Sequence, residues 1–385
     1  MANPKIWLSA PHMGGKEKEY MNDAIDTNWV APLGPNVNGF EEDLQNYNHI
    51  AHAAALSSGT AALHLAMRIL DIKRGDYVLV QSFTFCGSAN PITYDGATPV
   101  FIDSEGERWN MSPKALKLAL EDLKSKGELE KVKAIMPVHL YGVPADMEPI
   151  MEIADSYGIP VIEDAAESLG STYDGQFTGT FGELGAYSFN GNKIITTSGG
   201  GALVSDNADH IAKARHLSTQ ARQPAAHYEH TEIGFNYRMS NIVAGIGRGQ
   251  MEVLDERIKQ RRAVFNKYVT YFQKWNDAGM DIQFQGEGER SFANRWLTAI
   301  LIDPKTNKGL TREDVRLKLE EDNIESRPLW KPMHMQPVFE GHTFYGEGVC
   351  ERLFEIGLCL PSCSSMTDEE WNRISSKLDE IFENL

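Results

Sequence analysis

Between residues 50 and 205, short apolar runs alternate with segments of helical spacing. Tyr77-Val-Leu-Val, Thr98-Pro-Val-Phe-Ile, Ala134-Ile-Met-Pro-Val, Pro160-Val-Ile-Glu and Ala186-Tyr-Ser-Phe read as strands. Between them, Ala61–Leu70, Pro113–Lys126 and Met147–Tyr157 repeat apolar residues every three or four positions, and Ser112 stands where it can cap the second. Such alternation predicts an α/β fold, parallel strands with helices on both faces, and ligands then collect outside the strands' carboxyl ends. Met239–Thr270 reads as one long helical region opened by Ser240. Beyond it, Arg295–Ile302 is strand-like, and Thr311–Asp322 and Asp368–Leu385 are helical. The expected division is an amino-terminal arm and large domain over 1–254, then a smaller α+β domain over 255–385.

Composition narrows the class. At 385 residues the chain exceeds the size at which one core usually stops growing, in keeping with two domains. A hydrophobic share of 42% with 24% charged residues argues against disorder. The formal net charge of −17 leaves no basic surplus to replace phosphate counterions, so no nucleic-acid partner is expected. No apolar run is long enough to span a membrane, and Met1-Ala-Asn-Pro-Lys-Ile-Trp lacks the apolar centre of a signal peptide. Cys86, Cys350, Cys359 and Cys363 are scattered without a C-x-x-C pair, which suits reduced thiols in the cytoplasm. No His and Cys set has zinc-like spacing, so no metal is expected. Gly245-Ile-Gly247-Arg-Gly249 only loosely follows a dinucleotide fingerprint and no strand precedes it; close helix packing explains it better.

Three segments then point to chemistry. Ser57-Ser-Gly-Thr-Ala runs into a helix, so Gly59 permits close backbone approach and the free N–H groups of the helix start favour a dianion. The helix dipole supplies only about 0.3–1 kcal/mol. Charge-assisted hydrogen bonds of roughly 1.5–3 kcal/mol each must do most of the holding. The hydroxyls of Thr60 and Ser188 are the candidates. Asp164 follows the apolar strand Ile159-Pro-Val-Ile, where a carboxylate can pair with a pyridine nitrogen and keep it protonated. Phe85 ends another strand and can lie on a ring's face. Lys193, five residues after Ser188 and just before Gly199-Gly-Gly201, can offer an amine to an aldehyde and later carry a proton. Singly these are a capped helix, a turn carboxylate, a core aromatic and a surface lysine. In this order they support one another, and the cofactor they fit is pyridoxal 5′-phosphate, with Lys193 and Asp164 as catalytic groups.

With these residues in view, the sequence resembles the DegT-type sugar-nucleotide aminotransferases, a branch of the aspartate aminotransferase-like fold type I. The likeness rests on Pro11-His-Met-Gly-Gly, Asn28-Trp-Val-Ala-Pro-Leu-Gly, Ser57–Leu63, Val138-His-Leu-Tyr-Gly, Glu163-Asp-Ala-Ala-Glu-Ser, Ser188–Gly201, Gly234-Phe-Asn-Tyr-Arg-Met-Ser and Ser326-Arg-Pro-Leu-Trp-Lys-Pro-Met-His. Asn190–Gly201 and Ser218-Thr-Gln-Ala-Arg222 look most like the branch that makes the 4-amino precursor of UDP-N-acetylbacillosamine. The resemblance implies a mainly parallel central sheet, Lys193 as Schiff-base lysine, Asp164 as pyridinium partner and Phe85 as stacking ring. It assigns the phosphate to Thr60, Ala61 and Ser188, and places Glu167 near the phenolic oxygen. Asn236 would reach the phosphate of a neighbouring subunit, which implies a homodimer with shared sites. Arg222, Arg238, Arg327 and His334 match contacts to a substrate carboxylate or diphosphate, although structural ion pairs would explain them nearly as well. Related 3-dehydratases carry histidine where this chain has Lys193, which argues for transamination.

The implied reaction has two halves. L-glutamate converts the cofactor to pyridoxamine 5′-phosphate, which then aminates C4 of a UDP-2-acetamido-2,6-dideoxy-4-keto-hexose for glycan biosynthesis. Amination at C3, and a regulator on the same fold without turnover, stay open as alternatives.

Overall fold

The computed structural model describes residues 3–383. Met1 and Ala2 of the amino-terminal reading, and Asn384 and Leu385 at the end of the expected last helix, lie outside them. Helices α1 (Glu17–Asp26) and α2 (Pro35–Asn48) come first. The chain then alternates β1 (His52–Leu56), α3 (Gly59–Ile69), β2 (Tyr77–Gln81), α4 (Cys86–Tyr94), β3 (Thr98–Ile102), α5 (Pro113–Ser125), β4 (Val132–Met136), α6 (Met147–Tyr157) and β5 (Ile162–Asp164). The short pair β6 (Thr172–Tyr173) and β7 (Gln176–Phe177) precedes β8 (Leu184–Ser188), β9 (Gly201–Ser205) and α7 (Ala208–Ser218). Helices α8 (Asn241–Met251) and α9 (Leu254–Asp277) lead to β10 (Ile282–Phe284), β11 (Ser291–Phe292), β12 (Thr298–Ile302), α10 (Arg312–Glu320) and β13 (Arg327–Pro328). The last elements are β14 (Phe344–Tyr345), α11 (Val349–Ile356), β15 (Gly357–Leu360) and α12 (Asp368–Phe382).

Two four-stranded ladders, β1-β9-β8-β5 and β14-β3-β2-β4, are joined by the parallel bridges Ile135↔Val161 and Val138↔Asp164. The result is one central sheet in which β9 alone runs against its neighbours β1 and β8. That reversal has a local cause. The chain leaves the carboxyl end of β8, makes one loop over 189–200 and returns directly as β9, so the loop carrying Lys193 sits on the carboxyl edge of the sheet. Every strand expected between 77 and 189 is present. The unanticipated β1 and β9 are His52-Ala-Ala-Ala-Leu and Gly201-Ala-Leu-Val-Ser, whose small residues carry little strand propensity and are buried by the sheet's neighbours instead.

The helix expected over Met239–Thr270 is instead two. Val253 leaves helical geometry at φ −116°, ψ 7°, and a Cβ on Gly14 would come within 2.9 Å of its side chain. On the far side of the break, Arg257 donates to the carbonyls of His12 and Met13. The amino-terminal segment thus occupies the bend. The packing reading of the glycines in α8 holds: a Cβ on Gly249 would lie 2.6 Å from the Glu17 nitrogen of α1. The strand expected from Arg295 starts at Thr298, because Arg295 is left-handed at φ 54°. A separate core joins Ile6 to residues of α9, α10, α12, β10, β12 and β15, and Ile6 bridges Ile324. Among the described residues no helix is long and apolar enough to cross a membrane.

Candidate active site

A cavity of about 380 Å³ opens at the carboxyl ends of the central strands and brings together Ser58–Thr60, Phe85, Asp164, Glu167, Ser188 and Lys193. Its first wall is the start of α3. Ser58 adopts extended backbone and its Oγ accepts from the Ala61 N–H at 3.0 Å, a local N-cap. The N–H groups of Gly59 and Thr60, one turn too early for an intrahelical acceptor, remain at the cavity wall. Side chains are excluded here. A Cβ on Gly59 would stand 3.0 Å from the Ser188 Cβ, and one on Gly201 would stand 2.3 Å from the Ser58 carbonyl carbon. Ala61, expected to share this cradle, does not line the cavity; Ser58 already takes its N–H.

The second wall holds Asp164, at the end of β5. Its Oδ2 accepts from Ser88 Oγ at 2.5 Å, Thr84 Oγ1 lies 2.6 Å from that serine, and Oδ1 accepts from the Ala166 N–H at 3.1 Å. Both bonds to Asp164 treat it as an accepting carboxylate. Glu163, its neighbour, faces the other way and is saturated by His139 and the N–H groups of Gly179, Phe181 and Gly182.

The third feature is the amine. Lys193 Nζ lies 3.1 Å from Glu167 Oε1 and 4.1 Å from the centre of the Trp296 ring. Glu167 Oε2 accepts from the Tyr141 N–H at 2.7 Å, which Tyr141 presents from a left-handed conformation at φ 57°. Burial pushes the Glu167 carboxyl above the usual glutamate range; Lys193 and the Tyr141 N–H oppose that rise and the charge of Asp164 adds to it. Phe85 is 57% exposed at the mouth, 5.5 Å from the Trp330 ring.

Pyridoxal 5′-phosphate suits this donor set: a side-chain-free helix start with two hydroxyls for a phosphate, an accepting carboxylate for a ring nitrogen, and a buried amine beside them. Five sequence-read residues lie elsewhere. Asn236 is exposed on a segment paired with Thr219, and Arg222 is exposed with its guanidinium 5.6 Å from the Tyr228 ring. Arg238 is bound to Glu41 Oε1 at 2.8 Å and to the Ala55 carbonyl, beneath β1. Arg327 pairs with Glu325 at 2.8 Å, and His334 is held between Ser82 Oγ at 2.7 Å and Glu351 Oε1 at 3.2 Å. Arg238 through Nη1 and His334 through both ring nitrogens are bonded to protein atoms, as the ion-pair explanation expects. Sequence reasoning gave no role to Ser88, Trp296 or Trp330. Ser88 stands one helical turn after Phe85, a spacing that could have pointed to it; the tryptophans carry no motif.

The chain matches the DegT/DnrJ/EryC1/StrS aminotransferase family over residues 11–379 and belongs to it. EpsN of Bacillus subtilis (strain 168), provisionally named a pyridoxal phosphate-dependent aminotransferase, is 52% identical over 98% of this chain and 96% of its own. The GDP-perosamine synthase of Escherichia coli O157:H7 is 38% identical, with 97% of each chain covered. A crystal structure of a DegT DnrJ EryC1 StrS aminotransferase from Brucella abortus superposes with a TM-score of 0.87 at 26% identity over 95% of each chain. The protein is accordingly a pyridoxal 5′-phosphate-dependent sugar aminotransferase of the aspartate aminotransferase-like fold.

Proposed function

We propose that this enzyme moves the amino group of L-glutamate to C4 of a UDP-linked 2-acetamido-2,6-dideoxy-4-keto-hexose, giving a 4-amino sugar nucleotide for glycan assembly. The observation that carries the reading is the array of Lys193, Glu167 and Asp164 in one cavity, facing the open start of α3. When bound, pyridoxal 5′-phosphate supplies an aldehyde that accepts the amino group and a ring that takes up electrons. Lys193 Nζ would be the amine that holds the cofactor's aldehyde, and, when freed by the substrate's amino group, the base that would move the proton away from the glutamate Cα. Asp164 would hold a proton on the ring nitrogen, and the Ser88 hydroxyl orients that carboxylate. Glu167 Oε1 holds Lys193 Nζ at 3.1 Å. Thr60, Ser188 and the first N–H groups of α3 would hold the phosphate, and Phe85 would cover the ring.

Asn236 lies outside the cavity of its own chain and is exposed. It serves the phosphate of a second copy in a homodimer; Arg222, also exposed, meets a substrate diphosphate there, and Arg327 does so on giving up its pair with Glu325. The test loads the enzyme with pyridoxamine 5′-phosphate and offers 3-keto and 4-keto UDP-, GDP- and dTDP-sugars, with products read by mass spectrometry and NMR. The 4-amino UDP-sugar is expected; a 3-amino product would refute the position. A GDP-linked substrate is the second reading, favoured by the 38% identity to a GDP-perosamine synthase.

A further inference from the structure

The carbonyl of Asn192, the group immediately before Lys193, is held by two donors far apart in the sequence. Ser9 Oγ, in the amino-terminal segment, donates to it at 2.6 Å. Trp296 Nε1, just before β12, donates to it at 2.6 Å as well. The face of that same indole lies 4.1 Å from Lys193 Nζ, so one side chain fixes both the backbone before the lysine and the amine at its tip. Behind them stands Arg261 of α9, 1% exposed. Its guanidinium donates to the Trp296 carbonyl at 3.0 Å, to Ser9 Oγ at 2.9 Å and to the Ser362 carbonyl. A guanidinium met by neutral oxygens is an expensive thing to bury. Burial pushes its pKa down to about 10.

We propose that Trp296 and Ser9 are the positioning residues of the transamination step, holding Lys193 in line with the carbon from which it takes a proton, with Arg261 locking both in place. The proposal rests on the reading of Lys193 as the reactive amine. In the loop over 189–200, the Thr197 N–H donates to the Phe189 carbonyl and the Thr196 N–H to Gln250 Oε1, which fixes its far end. The peptide just before Lys193 is set by Ser9 and Trp296, and a lysine with four rotatable bonds on a looser peptide would sample many directions. Two hydrogen bonds to one carbonyl remove the backbone part of that freedom, and the indole face removes much of the rest.

The experiment compares the holoenzyme with Trp296→Phe, Trp296→Leu, Ser9→Ala and Ser9→Thr, using L-glutamate and Cα-deuterated L-glutamate. Borohydride trapping on Lys193 is run first on the wild type. Absence of trapping would sink the functional reading itself, independently of the positioning role. Given trapping, Trp296→Phe and Ser9→Ala should each lower kcat roughly tenfold with the glutamate KM little changed. Their deuterium isotope effect on kcat should exceed that of the wild type, because proton transfer by a misaligned amine becomes limiting. Trp296→Leu, which loses the ring face as well as the N–H, should be slower still. Ser9→Thr, which keeps the hydroxyl, should restore both rate and isotope effect. Should Trp296→Leu misfold, the two serine variants decide the matter. An unchanged isotope effect in Trp296→Phe and Ser9→Ala, or a defect confined to KM or cofactor content, overturns the proposal.

Discussion

Ser88 and Asp164 share a hydrogen bond of 2.5 Å across the cavity wall, although one begins a helix and the other ends a strand. Thr84 secures the serine from behind at 2.6 Å. Since Asp164 keeps the ring nitrogen protonated in the proposed mechanism, Asp164→Ala should lose about 4 kcal/mol of transition-state stabilisation, roughly a thousandfold in kcat/KM. Ser88→Ala leaves the carboxylate in place but less directed. Its loss should be smaller, about 1.5–3 kcal/mol, or some ten- to a hundredfold. Steady-state kinetics with L-glutamate separates the two, and equal defects would show that Ser88 does more than orient.

Lys193→Ala should abolish borohydride trapping of the cofactor, while the wild type retains the reduced adduct on the tryptic peptide that contains residue 193. Mass spectrometry reads the outcome. Trapping on any other lysine of the wild type would remove Lys193 from its proposed role.

Glu167 allows a signed test against pH. Burial raises its folded-state carboxyl above the ordinary glutamate range. A raised group contributes stability that is fully present below the unfolded value, roughly 4.3, and is lost as pH climbs through the folded one. The thermal midpoint of cofactor-free wild type should therefore fall relative to Glu167→Gln as pH rises from about 4 towards neutrality. Parallel curves for the two proteins would show that the carboxyl has no such linkage.

Gly201→Ala should damage the phosphate cradle. A Cβ there meets the backbone of Ser58 and Gly59 at 2.3–2.4 Å, which no side-chain rotation relieves. Overpacking of this kind destabilises by about 1–3 kcal/mol. Lowered cofactor content and a lowered unfolding midpoint should appear together. Gly59→Ala, whose nearest contact is the Ser188 Cβ at 3.0 Å, should be the milder variant by both measures.

Arg238→Ala should behave as a stability variant. Its guanidinium is bound to Glu41 and to the Ala55 carbonyl, with only 10% of the side chain exposed. Glu41 keeps Arg215 at 2.7 Å and the Ala55 N–H at 2.8 Å. The loss should therefore fall below the roughly 3–5 kcal/mol of an orphaned buried charge, read by denaturant unfolding, with KM for the sugar nucleotide unchanged.

The contrast between Arg238 and Lys193 shows where sequence reading reaches its limit. Lys193, Asp164 and the α3 turn each lie at a strand end, and strands announce themselves through local apolar runs. Their convergence follows from the alternating pattern, so these three parts of the candidate site were legible in the chain's own order of residues. Arg238 and His334 sit in equally suggestive motifs, yet Glu41 and Ser82, which claim them, lie 197 and 252 residues away. No local pattern encodes such a partner. Trp296 was silent for the same reason, since its significance depends on Asn192, 104 residues earlier. The break between α8 and α9 also comes from distant packing, of Gly14 against Val253, in a stretch whose own periodicity is continuous.

Ile6 pairs with Ile324 inside the core built on α9, α10 and α12. Translation delivers this isoleucine long before its partner, so Ile6 must wait for α10 and the segment after it to reach its place in that core. The contacts of Ile6 with Ile324 and of Ser9 with Asn192 join residues far apart in sequence, the kind of pairing that raises contact order. A chain ending before α9 carries Ser9 but not Trp296, and so holds the Asn192 carbonyl by one donor at most.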